Sequence, residues 1–222
     1  MADRRSAEDI KKDVYLQLAW DNRVGNTNIV VDATEDGTVI LTGMVASYTD
    51  RLEAEEDAYS VTGVRRVDNR LTISPPSSYP VPGDDDIAAQ IERLLEWNPT
   101  VNAAGIRVIV TNGILTLAGH VDSVWQKHRA AELAENIAGV IGVENQLAVK
   151  PVGGISDGDI RNDILGTLAR NTFVDAPDVD IRVRNGAVTV SGTVDNYMTY
   201  RTILGIAHNT NGVTDVHNEL EI

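Results

Sequence analysis

Four histidines, His120, His128, His208 and His217, are the side chains of this sequence best suited to hold a metal or pass a proton near neutral pH. None has a partner at the helical spacing of a zinc site such as His-Glu-x-x-His, and they do not recur in register along the chain. Each reads as a surface or internally satisfied residue. Asp84-Asp85-Asp86 could attract a calcium ion, but it lacks the regular ligand spacing of a loop site. It reads better as negative charge at a helix N-terminus, where it complements the dipole. No Gly-x-Ser-x-Gly, phosphate loop or dinucleotide glycine fingerprint occurs. There is no cysteine, which removes disulfides and thiolate metal sites. The expectation is a protein with no catalytic residues, no metal and no cofactor, and therefore not an enzyme.

The remaining candidates are binding groups. Trp20 and Trp97 stand at equivalent places, and Pro99 follows the second of them. A tryptophan suits a membrane–water boundary. The simpler expectation is a plug that seals a helix against its own sheet or a neighbouring unit. Trp125, with Val124, Tyr48, Tyr197, Met198 and Tyr200, makes another region rich in bulky side chains, for which packing between units leads and partner or lipid binding follows. Arg65 and Arg66 with Arg70, and Arg182 with Arg184, are the basic clusters. They could meet anionic headgroups, against the plainer reading of solvated strand residues.

The elements that position these residues come from a repeat. Gly37, Gly43 and Gly63 are matched in spacing by Gly113, Gly119 and Gly139, and again by Gly186, Gly192 and Gly212. Ile10, Ile87 and Ile160 open the units. Val67-x-Asn69-x-Leu71, Val143-x-Asn145-x-Leu147 and Val216-x-Asn218-x-Leu220 close them. The linkers are a proline-rich spacer at 74–86 and a shorter, glycine-containing one at 150–158. Domains over 1–80, 81–153 and 154–222 follow.

Each unit begins with a helix whose apolar stripe is Ile10, Val14, Leu18, then Ile87, Ile91, Leu95, then Ile160, Ile164, Leu168. Ser6, Asp84 or Asp85, and Ser156 or Asp157 suit its N-cap. A hairpin follows, with Asp36-Gly37, Asn112-Gly113 and Asn185-Gly186 at its turn, pairs that favour a tight type I′ geometry. Gly43, Gly119 and Gly192 end the second strand, where the chain turns sharply or approaches another backbone closely. Ser47, Ser123 and Asn196 suit the cap of a second helix, and Gly63, Gly139 and Gly212 its C-terminal cap. Asn69, Asn145 and Asn218 lie on the inward face of the last strand. They are expected to satisfy backbone groups near the hairpin end rather than bind a ligand. The fold class is α+β: three tandem αββαβ modules, each a three-stranded mixed sheet with two helices on one face. Strand order does not follow from the pattern.

The formal net charge is −14, spread evenly over the three units. Such a surface repels polyanions, so nucleic acid is excluded as a partner. No apolar run is long enough to span a membrane. The first residues lack the apolar core of a signal peptide. The expected location is cytoplasmic as written, or periplasmic if a leader has been removed.

The glycine triplets, the closing Gly-Val-x-x-Val-x-Asn-x-Leu, and Thr-Val-Ile-Leu-Thr-Gly-Met-Val at 38–45 with its copies resemble the BON domain. Leu18-Ala19-Trp20-Asp21 and Leu95-Glu96-Trp97-Asn98-Pro99 look like the helix-end segment of multi-copy, OsmY-like members. The third unit departs there, with Arg170-Asn171-Thr172-Phe173. The resemblance implies a binding module, proposed to contact phospholipid membranes in envelope or osmotic stress, with no catalytic residues. Two functions stay open: association with a phospholipid surface, or a soluble stress-linked scaffold or chaperone-like protein acting through other proteins.

Overall fold

The computed structural model describes residues 5–24, 28–76, 78, 80–150, 153–172, 174 and 178–222. Residues 1–4, Ser77, Tyr79, Pro151, Val152 and Phe173, which carry parts of the leader, linker and helix-end readings, lie outside the described residues.

The first module runs α1 (Ala7–Trp20), β1 (Asn28–Ala33), β2 (Thr38–Val45), α2 (Tyr48–Ser60) and β3 (Arg66–Ile73). The second repeats this as α3 (Asp84–Trp97), β4 (Ile106–Thr111), β5 (Ile114–Val121), α4 (Val124–Ala134) and β6 (Gly142–Val149). The third is α5 (Asp157–Arg170), β7 (Asp180–Arg184), β8 (Ala187–Thr193), α6 (Tyr197–Asn209) and β9 (Asp215–Glu221). The three sheets have the orders β1-β2-β3, β4-β5-β6 and β7-β8-β9. The hairpin makes β1 antiparallel to β2, and the helical crossover brings β3 in parallel to β2; β7, β8 and β9 repeat the arrangement. In each module the first helix packs on the first strand and the helices touch each other, which places both on one face.

The helix stripes are buried as the spacing demands, except that Leu168 is half-buried. Ser47, Ser123 and Asn196 each accept a hydrogen bond from the third residue on, Asp50, Gln126 and Thr199. Ser6 and Ser156 cap the first helices in the same way. Asp84 is not a cap. It is the first residue of α3, and its carboxylate accepts from the N–H groups of Asn112 and Gly113 at 2.7 and 2.9 Å. Asp157 does the same for Asn185 and Gly186 at 2.8 and 2.9 Å. Both carboxylates thus fasten a hairpin tip to a helix start.

Three sequence expectations need correction. The Asn-Gly turns are two-residue loops with both residues at positive φ, as type I′ requires. The Asp36-Gly37 turn is longer: Gly37 N–H donates to Thr34 O, Thr34 N–H to Thr38 O, and only Gly37 has a positive φ. Asp36 stabilises that loop by accepting from Thr34 Oγ1 and Thr38 N–H. Gly43, Gly119 and Gly192 sit inside the second strand rather than at its end. A Cβ there would lie 1.9 Å from Asn28 O, 2.0 Å from Gly105 O and 2.1 Å from Asp178 O, so close backbone approach is the reason for glycine. Gly63, Gly139 and Gly212 lie in turns beyond the second helices, which end at Ser60, Ala134 and Asn209, not at the helix caps.

The chain forms two compact units. One reaches to Gly83 and includes Ala138–Gly142; the other comprises Asp84–Ile137 and Val143–Ile222. The second and third modules therefore share a unit.

Candidate functional site

The first helix of each of the first two modules ends in a tryptophan, because the apolar stripe stops at Leu18 and Leu95 and the chain leaves the core two residues later. The plug expectation fails for both. Trp20 is 77% exposed and Trp97 86%. Pro99 is also exposed. Tyr15 and Leu16 add exposed apolar surface on α1. At the equivalent place the third module has exposed Arg170. Rings this exposed add little buried area to the module, and an aromatic ring with a polar N–H is suited to the headgroup level of a bilayer.

The basic candidates are dispersed. Arg65 and Arg66 are exposed beside the first hairpin tip, where their backbone N–H groups donate to Gly37 O. Arg70 is bound to Asp68 at 2.5 Å and Arg182 to Asp180 at 2.8 Å, so those two carry little free positive charge.

The three asparagines do structural work, with a different partner from the one expected. Asn145 Nδ2 donates to Lys127 O at 2.6 Å and its Oδ1 accepts from Leu147 N–H. Asn69 makes the same pair of bonds to Arg51 O and Leu71 N–H, and Asn218 reaches the Tyr200 hydroxyl and Leu220 N–H. The last strand is thereby tied to the second helix, not to the hairpin end.

Sequence reading missed a polar cluster in the first module. Asp57, on α2, is 4% exposed, and Asp21, at the C-cap of α1, is 8% exposed. Gln17 Nε2 donates to Asp57 Oδ1 at 3.1 Å. Arg23 holds Asp21 at 2.6 Å and Glu53 at 2.6 Å. Hydrogen bonds from Arg23 hold the Asp21 carboxyl below its ordinary range. Burial pushes the Asp57 carboxyl up, and the Asp21 carboxylate adds to that, so the fold favours a proton on Asp57. The repeat register puts Leu133 and Ile206 where Asp57 stands. The acid hid in Thr-Asp-Arg-Leu-Glu-Ala-Glu-Glu-Asp at 49–57, which has the composition of a solvated helix face.

The helix-start region rich in bulky groups is partly consumed between the second and third modules. Val124, the first residue of α4, is 4% exposed and belongs to the apolar cluster formed by Ile160, Ile164, Ile203 and their neighbours. Val149 of β6 and Tyr200 of α6 pack against the same cluster. Trp125 and Met198 are left exposed, at 41% and 65%. Within this contact the rings of His128 on α4 and His208 on α6 approach to 4.3 Å between centroids. No periodicity could have shown that pair, because its members are not in register and meet only across modules. Among the described residues no group of three or more possible ligands could hold a metal ion. Among the described residues no helix is long and apolar enough to cross a membrane.

Residues 6–75, 83–151 and 156–222 match the BON domain family. The chain is 31% identical over 140 residues to Osmotically-inducible protein Y of Escherichia coli (strain K12), covering 62% of this chain and 69% of that protein. It is 33% identical over 132 residues to Outer membrane lipoprotein DolP of Haemophilus influenzae, covering 59% of this chain and 64% of the lipoprotein, which is just under two thirds. Among solved structures, the C-terminal domain of CdsD, a structural protein of the type III secretion system of Chlamydia trachomatis, aligns over 96% of both chains. Its identity is 16% and its TM-score 0.25, a superposition too loose for comparing sites.

Proposed function

The chain belongs to the BON-domain family, with three copies in tandem, and from that premise we propose that it is a non-enzymatic binding protein that associates with phospholipid surfaces under osmotic or envelope stress. The observation that carries this reading is the exposure of Trp20 and Trp97 at the ends of α1 and α3. The two modules keep the ring at the same place, with most of its surface outside the core. The relatives supply the setting: one is by name osmotically inducible and the other an outer-membrane lipoprotein. The same lipoprotein favours an envelope location over the cytoplasmic one.

The charge sets the mode of binding. A chain with net charge −14 gains little from an anionic bilayer, so aromatic insertion supplies the affinity and the arginines a minor part. Co-sedimentation with neutral and anionic vesicles across a salt series tests this. Binding is expected to change little with salt, to fall about tenfold in each of Trp20→Ala and Trp97→Ala, and to fall less in Arg65→Ala/Arg66→Ala. Absence of binding to any vesicle at low salt sinks the reading.

The alternative is a scaffold or chaperone-like protein that binds other proteins. The contact between α4 and α6 favours it, since second helices of this chain already pack one module against another there. Loss of vesicle binding with retained capture of a protein partner would replace the first reading by this one.

A further inference from the structure

The contact between the second and third modules is made by α4 and α6, and it brings the rings of His128 and His208 together. His208 is half-buried and His128 is exposed. Two imidazoles at a centroid distance of 4.3 Å, tilted by 39°, tolerate each other while neutral. Two imidazolium ions at that distance repel, and each loses water to the contact. We propose that the pair is an acid-operated latch, which holds the second and third modules together at neutral pH and releases them when the rings are protonated.

The surroundings favour release. Burial lowers the His128 ring, Lys127 on α4 lowers it further, and Glu132 on the same helix opposes them. Burial and the His128 ring bring His208 down to about 4, against Asp215 at the start of β9. Asp215 is itself 3.6 Å from His217, which draws on the same carboxylate when protonated. Among the described residues no charged group of α3, α5 or β5, the other elements against these helices, acts on either ring. The sign follows. A separated His208 takes its proton near 6.5 and a docked one near 4, so the open state binds more protons between those values. Docking is complete above 6.5 and weakens as pH falls towards 4. At pH 5, His208 alone shifts the docking equilibrium by about thirtyfold. Release would uncover Val124 beside the already exposed Trp125, which adds an apolar patch in acid.

Two readings on the full chain test the latch. In an NMR titration the His208 ring is expected to titrate together with the opening, at a midpoint between the docked value of about 4 and 6, and a midpoint at or above 6 overturns the proposal. The chain has no cysteine, so spin labels can be placed at Ala148→Cys on β6 and Glu219→Cys on β9, both exposed. A single narrow distance is expected at pH 7.5 and a broad, longer distribution at pH 5, with the helical signal in circular dichroism retained. The same labels on His128→Gln/His208→Gln should keep the narrow distance at pH 5. An unchanged distance at pH 4.5, opening of the double variant over the same range, or parallel loss of helical signal contradicts the latch. Should the double variant be open already at pH 7.5, the wild-type His208 midpoint decides.

Discussion

The first and third modules share one framework and differ in what they bury beside it. In the first, the second helix buries Asp57 against Asp21, with Arg23 and Glu53 close by. In the third, the same helix position is Ile206, and two residues later His208 meets a histidine of the neighbouring module. Asp57 is buried and His208 half-buried, yet the two respond to pH in opposite senses. Asp57 is held protonated longer than in an unfolded chain, so its contribution is present in acid and is lost as pH rises from 3.8 through its raised value. His208 is held neutral, and its contribution is lost as pH falls. Residues that recur three times build the fold; residues that occur once set how each module answers its surroundings.

That division can be broken first at a framework glycine. Gly192→Ala would force a Cβ to 2.1 Å from Asp178 O at a φ of 132°, and should cost about 3 kcal/mol or more. The control is Gly205→Ala in α6, where nothing lies within 4 Å, expected to gain about 1 kcal/mol from helix propensity. Urea midpoints of the two variants check the pair, and similar losses at both sites would refute the steric account.

Asp57→Leu gives the first module the residue type of the second. It removes a buried acid with an unpartnered Oδ2, and should stabilise the first module by about 1–3 kcal/mol at pH 7. The gain should shrink as pH falls towards 3.8, where the wild-type carboxyl becomes protonated in both states. A thermal melt that moves down at pH 7, or a gain independent of pH, contradicts the assignment.

Smaller effects are expected at the ties. Asn145→Ala loses the bonds to Lys127 O and Leu147 N–H, for about 1–2 kcal/mol. Asp157→Ala frees the Asn185-Gly186 tip, for about 1 kcal/mol. Amide exchange should rise at Leu147 in the one and at Gly186 in the other.

The sequence carried the framework because the framework is local. Helix stripes, the capping residues Ser47, Ser123 and Asn196, and the Asn-Gly turns all depend on neighbours a few residues away. It misjudged Asp36-Gly37 because the loop is decided by Thr34 and Thr38, outside the dipeptide. Trp20 and Trp97 looked like core because size and apolarity favour burial, while exposure depends on where the core stops. Asp57, Asp21 and the His128–His208 pair were out of reach because tertiary contact alone brings their members together.

The central claim is that Trp20 and Trp97 enter a bilayer. The direct measurement is quenching of tryptophan fluorescence by brominated phospholipids in chains that keep one tryptophan, the other two replaced by phenylalanine. The account predicts strong quenching and a blue-shifted emission for chains that keep Trp20 or Trp97, and weaker quenching for the chain that keeps Trp125. Equal, solvent-like emission from all three in the presence of vesicles would contradict it.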